Sequence, residues 1–257
     1  MIQEQDKLLS SVKSAIKILR AFKMDQPQKG VRELANELGL GKSSVQRILT
    51  TLASEGLVQK NKETNKYELG LSVVELSSIV LGNIDLHRES RPILTDLANK
   101  YGETAHLAIL DGNHVVYLDK VESKTSNKLP SHLGFHNYAH CTSSGKLLLA
   151  HSGNYLVDLV IQNGLDAITP KTIVDPNKFR QELSTILRQG YSVSIDEYTI
   201  GRTSVSAPVR DHTGKVTAAI NLVGPSPRFS RQRIQYFASE LIRAGELISE
   251  RLGYWKR

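Results

Sequence analysis

The chain has 257 residues, a length typical of one or two domains. With 40% hydrophobic and 23% charged residues, its composition excludes an intrinsically disordered chain. No apolar run reaches the ~20 residues that a membrane helix needs, and the N-terminus lacks a signal-peptide pattern. The single cysteine, Cys141, excludes a disulfide framework and a multi-cysteine zinc site. We therefore expect a soluble, cytoplasmic protein.

The positive charge is concentrated near the N-terminus. The whole chain carries 33 lysines and arginines against 26 acidic residues, and residues 1–70 alone carry 12 against 8. Such an excess is consistent with a polyanionic partner such as nucleic acid, but a merely basic surface would also explain it. The arrangement of the residues has to distinguish the two.

Apolar residues at helical spacing predict three short helices near the N-terminus. Ser11 is placed to cap the first helix, and the polar segment 25–30 ends it. Ala35 then allows two helices to cross closely, and Gly39 can adopt the left-handed conformation of a tight turn. Val45 packs these two helices together. This spacing is typical of a DNA-binding helix-turn-helix.

The third helix has the side chains of a recognition helix. No acidic residue occurs between Gly41 and Ser54, whereas an ordinary solvated face usually mixes Glu with Lys. Gln and Arg suit base edges in the major groove, and Ser, Thr and Lys suit phosphates. The predicted DNA contacts on this helix are Lys42, Ser43, Ser44, Gln46, Arg47 and Thr50.

A hairpin is predicted directly after this helix, with strands at 57–60 and 66–69 around a polar tip. A basic hairpin in this position is typical of a wing that contacts phosphates or the minor groove. The alternative is a plain surface hairpin. In a wing, the residues that would position the protein on DNA are Lys60, Lys62 and Lys66.

A second domain follows Gly70. Residues 71–86 predict a linker helix, and residues 87–101 predict another helix, broken near its start by Pro92. The remaining pattern predicts an α+β sheet domain. Its strands are expected at 104–110, 115–121, 192–195, 203–210 and 216–222, and its helices at 143–151, 155–163, 176–189 and 230–252. The predicted organisation is a winged helix-turn-helix at 1–70, the linker helix, and a larger domain at 87–257.

Three motifs in the second domain, together with the winged helix-turn-helix, carry a family resemblance over essentially the full length. They are His-Cys-Thr-Ser-Ser-Gly-Lys-Leu-Leu-Leu-Ala at 140–150, Gly190-Tyr191 through Asp196-Glu197 and Gly201 to Ala207-Pro208-Val209, and Ala-Ala-Ile-Asn-Leu-Val-Gly-Pro at 218–225. In this order and spacing they resemble the isocitrate lyase regulator (IclR) family of bacterial transcription factors.

The resemblance implies a sequence-specific regulator, most commonly a repressor, of a catabolic operon. It implies double-stranded operator DNA as a partner, a homodimer or dimer of dimers, no cofactor, and no membrane partner. The second domain would be GAF-like and bind a small organic, sugar or aromatic acid. A sheet with helices on one side could hold the acid between its face and a covering loop.

The resemblance also implies effector-binding residues: Ser143 and Ser144 at a helix start whose amides suit a carboxylate, Ser204, Asn221 and Val223. The sequence departs from the usual family pattern with Tyr138 for Pro, Ser194-Ile195 for an Asp pair, Ser204 for Cys, and Asn221 and Val223 for Ser-x-Ser. These altered polar groups predict a different effector from those of other members.

Several residues admit other interpretations. His132, His136, His140 and Cys141 could line one helix face as metal ligands, although Gly134 favours a loop, and this question stays open. Cys141 as a nucleophile would need a nearby base, and His140 is adjacent only in sequence.

Asp196 and Glu197 would point in opposite directions along a strand, which favours a turn and a structural ion pair over a catalytic pair. We predict no catalytic residues and no metal ligands. The rival hypotheses are a small-molecule enzyme with an accessory DNA-binding head and a structural nucleoid protein, which would bind DNA with little sequence preference.

Overall fold

The computed structural model describes residues 9–82, 85–123 and 133–255, and the chain divides into two compact units, Met1–Asn83 and Ile84–Arg257. The first unit has one hydrophobic core cluster, and the second unit has two. No helix in these ranges combines the length and the apolar character that crossing a membrane requires.

The first unit is a winged helix-turn-helix, as the sequence predicted. Ile18, Leu34, Val45 and Leu49 come from three different helices and are completely buried together. Its described elements are α1 (Ser10–Ala21), α2 (Val31–Leu38), α3 (Lys42–Ser54), β1 (Val58–Lys60), β2 (Tyr67–Leu69) and α4 (Ser72–Gly82).

The predicted cap of α1 is wrong. The helix begins at Ser10, and the amide of Lys13 donates to the carbonyl of Leu9 at 3.1 Å, which places Ser11 inside the first turn. Leu9 is the residue before the helix, and its side chain cannot accept a hydrogen bond. The helix start therefore depends on packing of its apolar face rather than on a polar cap.

The predicted turn between α2 and α3 is confirmed. Gly39 has a φ of 64°, the left-handed conformation that glycine adopts without a steric penalty. The amides of Gly39 and Leu40 both donate to the carbonyl of Ala35, which ends α2 and directs the chain into α3.

The wing is anchored to the loop before α2, a contact that the sequence pattern did not predict. β1 and β2 pair antiparallel, with Lys60 opposite Tyr67. Tyr67 also exchanges two backbone hydrogen bonds of 2.9 Å with Lys29. The side chain of Tyr67 is 5% exposed, so this residue is fixed at the centre of the unit.

The second unit is built on a six-stranded antiparallel sheet. Its described helices and strands are α5 (Asp85–Tyr101), β3 (Thr104–Asp111), β4 (His114–Val121), β5 (His136–Tyr138), α6 (Ser143–Ala150), α7 (Asn154–Gln162), α8 (Pro176–Gln189), β6 (Ser192–Ile195), β7 (Arg202–Arg210), β8 (Val216–Pro225) and α9 (Arg231–Arg251). The strand order in the sheet is β5-β4-β3-β8-β7-β6. The short edge strand β5 lies in a segment that was predicted to be a loop.

Helices cover both faces of this sheet, so the expectation of helices on one side is wrong. Leu107 and Ile220 point to the face covered by α5 and α9, and Ala108 and Ala219 point to the face covered by α6, α7 and α8. Successive residues of a strand alternate between faces, and both sets are apolar, so each face needs a cover.

The predicted break at Pro92 is also wrong. α4 ends at Gly82, and α5 runs from Asp85 through Pro92 to Tyr101. Leu94, Leu97 and Ala98 are buried against the sheet, and this packing outweighs the hydrogen bond that Pro92 cannot donate.

Candidate functional site

The outward face of α3 carries the side chains that were predicted to contact DNA. Val45 and Leu49 are fully buried on its inner face, which fixes the rotation of the helix about its axis. The opposite face contains no carboxylate. All six predicted contact residues are exposed on α3: Lys42, Ser43, Ser44, Gln46, Arg47 and Thr50.

The three predicted lysines of the wing differ in their surroundings. Lys60 and Lys62 are exposed, and neither forms a salt bridge with any residue that the structure describes. Lys66 Nζ lies 2.9 Å from Glu33 Oε1 on α2. A hydrogen bond from the Gly30 amide and another from Lys66 lower the pKa of Glu33, so its carboxylate is charged at neutral pH.

The second unit contains a cavity of about 300 Å³ on the α6 side of the sheet. Thr142, the N-cap of α6, and Tyr198 and Thr199 from the loop at residues 196–201, which we call the covering loop, also line it. Ser204, Asn221 and Val223, three of the five residues predicted to bind an effector, line this cavity. Ser204 and Val223 are direct neighbours on the paired strands β7 and β8.

The other two predicted residues, Ser143 and Ser144, lie behind the cavity wall in a buried hydrogen-bond network. His106 Nδ1 is 3.0 Å from Asn221 Oδ1, and Asn221 Nδ2 donates to Ser144 Oγ at 2.7 Å. Ser206 Oγ then lies 3.1 Å from Ser144 Oγ and 2.6 Å from Ser143 Oγ. The network joins the cavity wall to the first turn of α6.

β3 and β4 supply a polar but uncharged part of the wall. The ring of His106 stacks on Tyr117 with 4.3 Å between ring centroids, and both residues line the cavity. Burial lowers the pKa of His106 to about 4 and raises the pKa of Tyr117. Both groups are therefore neutral at neutral pH.

Among the described residues that line the cavity, Arg202 alone carries a full charge at neutral pH. Its Nη1 atom is buried and has no hydrogen-bond partner within the described part of the chain. The buried Glu103 has a pKa raised by burial, an effect opposed by Arg228, Arg233 and Arg202. Glu103 forms its ion pair with Arg228, at 2.9 Å, and Arg202 forms no salt bridge of its own with a residue in the described ranges.

Nine of the twelve residues that line the cavity were not predicted from the sequence, among them His106, Tyr117, Tyr198 and Arg202. The hydroxyl of Tyr198 donates to Asn137 Oδ1 at 2.8 Å and so connects the covering loop to β5. The position of Arg202, directly after the motif glycine, was the one available signal. The others depend on strand pairing, such as that of His106 with Asn221.

The adjacent acids of the second motif have structural roles, as predicted. Asp196 lies in a turn with a φ of 59° and accepts a hydrogen bond from the Gly201 amide at 2.8 Å. Glu197 Oε1 lies 2.7 Å from Nζ of Lys146, which is 1% exposed and also contacts Glu182 at 2.9 Å. Lys146 therefore ties α6 and α8 to the covering loop.

The histidines and the cysteine near β5 have separate partners. His136 Nε2 lies 2.9 Å from Asp111 Oδ2, and His140 Nε2 lies 3.0 Å from the carbonyl of Asp166. Burial raises the pKa of the Cys141 thiol to about 12, so it stays protonated. The structure groups no three His, Cys, Asp or Glu side chains as metal ligands in the ranges it describes, and His132 lies outside those ranges.

Two family models match most of the chain. The model "IclR helix-turn-helix domain" matches residues 11–62, and the model "Bacterial transcriptional regulator IclR C-terminal" matches residues 78–250.

Individual proteins agree with these matches. The chain is 31% identical to the HTH-type transcriptional regulator XynR of Escherichia coli K12 over 96% of this chain and 98% of XynR. It is 27% identical to the E. coli K12 HTH-type transcriptional repressor AllR over 93% of this chain and 86% of AllR.

A solved IclR homologue of Microbacterium hydrocarbonoxydans, in complex with 4-hydroxybenzoate, shares the fold with a TM-score of 0.84 at 23% identity, over 95% of this chain and 99% of that one. The relatives are named as regulators, and nothing in these matches supports the alternative of an enzyme. The chain belongs to the IclR family of bacterial transcriptional regulators.

Proposed function

We propose that this regulator is a cytoplasmic repressor of a catabolic operon, released from its operator by a small organic, sugar or aromatic acid. It binds a near-palindromic operator as a homodimer or a dimer of dimers, with one recognition helix in each of two successive major grooves. The observation that carries this proposal is the exposed, acid-free face of α3 beside a basic wing.

The residues proposed to contact DNA fall into two groups, those suited to base edges and those suited to the phosphate backbone. Gln46 and Arg47 are the side chains suited to base edges, and Lys42, Ser43 and Ser44 are suited to phosphates. The predicted contact at Thr50 is not with a phosphate, because its hydroxyl proton is donated to the Gln46 carbonyl. Lys60, Lys62 and Lys66 provide sequence-independent contacts from the wing. The name of AllR, a repressor, supports repression as the outcome.

The cavity supports an anionic effector. A carboxylate would pair with the positive charge of Arg202, while Ser204 and Asn221 offer hydrogen bonds and Val223 offers an apolar contact. The solved homologue with 4-hydroxybenzoate makes an aromatic acid a suitable first probe. The acid would change operator affinity through residues 71–86, and the protein itself would catalyse no reaction.

The DNA-binding part of this proposal can be tested by selecting genomic DNA fragments with the purified full-length protein. The selection is carried out at one fixed physiological salt concentration. We expect a sharp near-palindromic site, and the genes beside it identify the pathway whose acids should be titrated. Weak binding without sequence preference would contradict the proposal and favour a nucleoid protein.

The effector part is tested by titrating 4-hydroxybenzoate and the acids of that pathway against the protein–operator complex. We expect Arg202→Gln to abolish the response to the active acid and to leave operator affinity unchanged. Arg188→Gln on the exposed surface of α8 is the matched control. A normal response in the Arg202 variant would place the effector elsewhere.

A further inference from the structure

We infer that Gln46 is held so that its side-chain amide offers the operator only a hydrogen-bond acceptor, which selects adenine or cytosine on the strand that it faces. This inference rests on the proposed function and adds a base preference to it.

The first observation is the tether between Gln46 and the wing. Gln46 Nε2 lies 3.2 Å from the hydroxyl of Tyr67, although Gln46 itself is exposed on α3. Tyr67 cannot readily follow a moving side chain, because it is buried and its backbone is paired with Lys29. Its hydroxyl is therefore a fixed point beside the recognition helix.

The second observation determines which end of the amide faces inward. The hydroxyl of Thr50 donates its one proton to the backbone carbonyl of Gln46, at 2.9 Å. Thr50 Oγ1 can therefore only accept from the Gln46 side chain, which lies 3.4 Å away. The nearby amide atom must be Nε2, because a flipped amide would bring two acceptors together.

It follows that both protons of Nε2 have partners within the first unit, one on Tyr67 and one on Thr50. Oε1 of Gln46 keeps its lone pairs for the groove. A glutamine that can use both ends of its amide contacts adenine through N6 and N7. Gln46, by contrast, can only accept a hydrogen bond from a base.

The bases differ in what they offer such an acceptor. In the major groove, adenine N6 and cytosine N4 donate hydrogen bonds, whereas guanine presents N7 and O6 and thymine presents O4, which are all acceptors. Gln46 therefore disfavours guanine and thymine at one position of each half-site. We expect a preference of roughly tenfold, which corresponds to a single hydrogen bond and the cost of opposing two acceptors.

The test is a randomised-site selection, performed in parallel with the full-length wild type and with Gln46→Ala, Gln46→Glu and Tyr67→Phe. Gln46→Ala should lose the preference for adenine or cytosine at one position of each half-site. That loss identifies the position that Gln46 contacts. Gln46→Glu retains acceptors only, so we expect it to keep adenine or cytosine there, at lower overall affinity because of its negative charge. Tyr67→Phe frees Nε2, and we expect guanine or thymine to become acceptable there, with affinity for the original site about three- to tenfold lower.

The possible failures are distinguishable. If the wild type selects no sharp site, the proposed function itself is wrong. If it selects a sharp site with guanine or thymine at the position identified by Gln46→Ala, or if Gln46→Glu loses the adenine or cytosine preference, only the inference about Gln46 is overturned. Circular dichroism of each variant checks folding, and the Gln46 variants decide the matter if Tyr67→Phe is unstable.

Discussion

Arg47 and Lys62 carry the same charge but differ in hydrogen-bonding geometry. The guanidinium of Arg47 can form two parallel hydrogen bonds with a guanine edge, whereas the ammonium of Lys62 acts as a point charge on phosphate. Arg47 lies on the exposed face of α3, and Lys62 lies at the tip of the wing. We therefore expect substitutions at the two positions to separate sequence specificity from general affinity.

We expect Arg47→Ala to weaken binding to the cognate site by roughly 1–3 kcal/mol and to relax the sequence preference at one base pair. Competition binding against single-base variants of the operator measures both effects. Arg47→Lys is the matched control, because it keeps the charge and loses the planar fork. An equal loss on every sequence would contradict base contact by Arg47.

Lys62→Ala should weaken binding to all sequences alike and reduce the slope of log K against log salt by about 1, because one phosphate contact is lost. Lys66→Ala provides the comparison. Its charge is already balanced by Glu33 at 2.9 Å, so we expect a smaller change in slope. A titration of operator binding from low to high salt measures both, and an unchanged slope for Lys62→Ala would exclude it from the interface.

The buried His106 makes the stability of the second unit depend on pH. Its pKa is lowered from 6.5 to about 4 by burial, so the unfolded chain binds more protons than the folded one between these values. The free energy of unfolding should therefore fall as the pH falls from about 6.5 to 4. The loss attributable to His106 is on the order of 3 kcal/mol.

Urea unfolding between pH 4 and 7, followed by far-ultraviolet circular dichroism, measures this dependence. His140 and His151 also have pKa values lowered by burial and contribute in the same direction. The variant His106→Gln isolates one residue, because glutamine does not titrate in this range. If its pH profile has the same slope as the wild type, the assignment to His106 is wrong.

At the scale of elements, the motif glycine of α6 is a packing residue. A Cβ atom at Gly145 would clash with the backbone of Ala139 in the turn before the helix. Helix propensity alone predicts that Gly145→Ala stabilises by about 1 kcal/mol. Packing predicts the opposite sign, with a loss of roughly 1–3 kcal/mol, because backbone atoms cannot move aside as a side chain can.

The sign of the change in urea unfolding free energy decides between the two. Ala150→Gly, at the half-buried end of α6, is the control and should cost only about 0.5–1 kcal/mol. A stabilised Gly145→Ala variant would mean that α6 can move away from Ala139.

Elements with a periodic apolar face could be predicted from the sequence, because burial of that face determines their structure. α3 and α8 are examples, and β6 was predicted at the residues where it occurs. α5 shows the limit, since the rule that proline breaks a helix is local, whereas the packing that overrides it comes from residues far along the chain. The three-residue strand β5 is too short to have a periodicity of its own.

The cavity was only partly predictable for a related reason. Ser204, Asn221 and Val223 could be named because strand alternation and the family motifs locate them. The inward burial of Ser144 and the contribution of Arg202 depend on how β7, β8 and α6 meet, which no local pattern specifies. The pairing of Lys66 with Glu33 likewise joins residues 33 positions apart.

At the scale of the whole molecule, the surface proposed to bind DNA and the cavity proposed to bind an effector occupy separate units of one chain. Communication between them must be a coupling free energy between two binding equilibria, and thermodynamics requires it to be reciprocal. A polar network connects the cavity wall to α6, and Lys146 connects α6 to the covering loop. An acid bound at Arg202 would therefore contact or border elements that are already joined.

We expect the active acid to lower operator affinity by a factor within the usual range of about 5–150, and operator DNA to lower the affinity for the acid by the same factor. Calorimetric titration of the acid into the free protein and into the protein–operator complex gives one factor, and operator binding with and without saturating acid gives the other. Arg202→Gln should reduce both factors to 1, while Arg188→Gln should leave both unchanged. Unequal factors at one salt concentration and pH would show that the acid has a second site or changes the oligomeric state, because a single linked pair of sites cannot produce them.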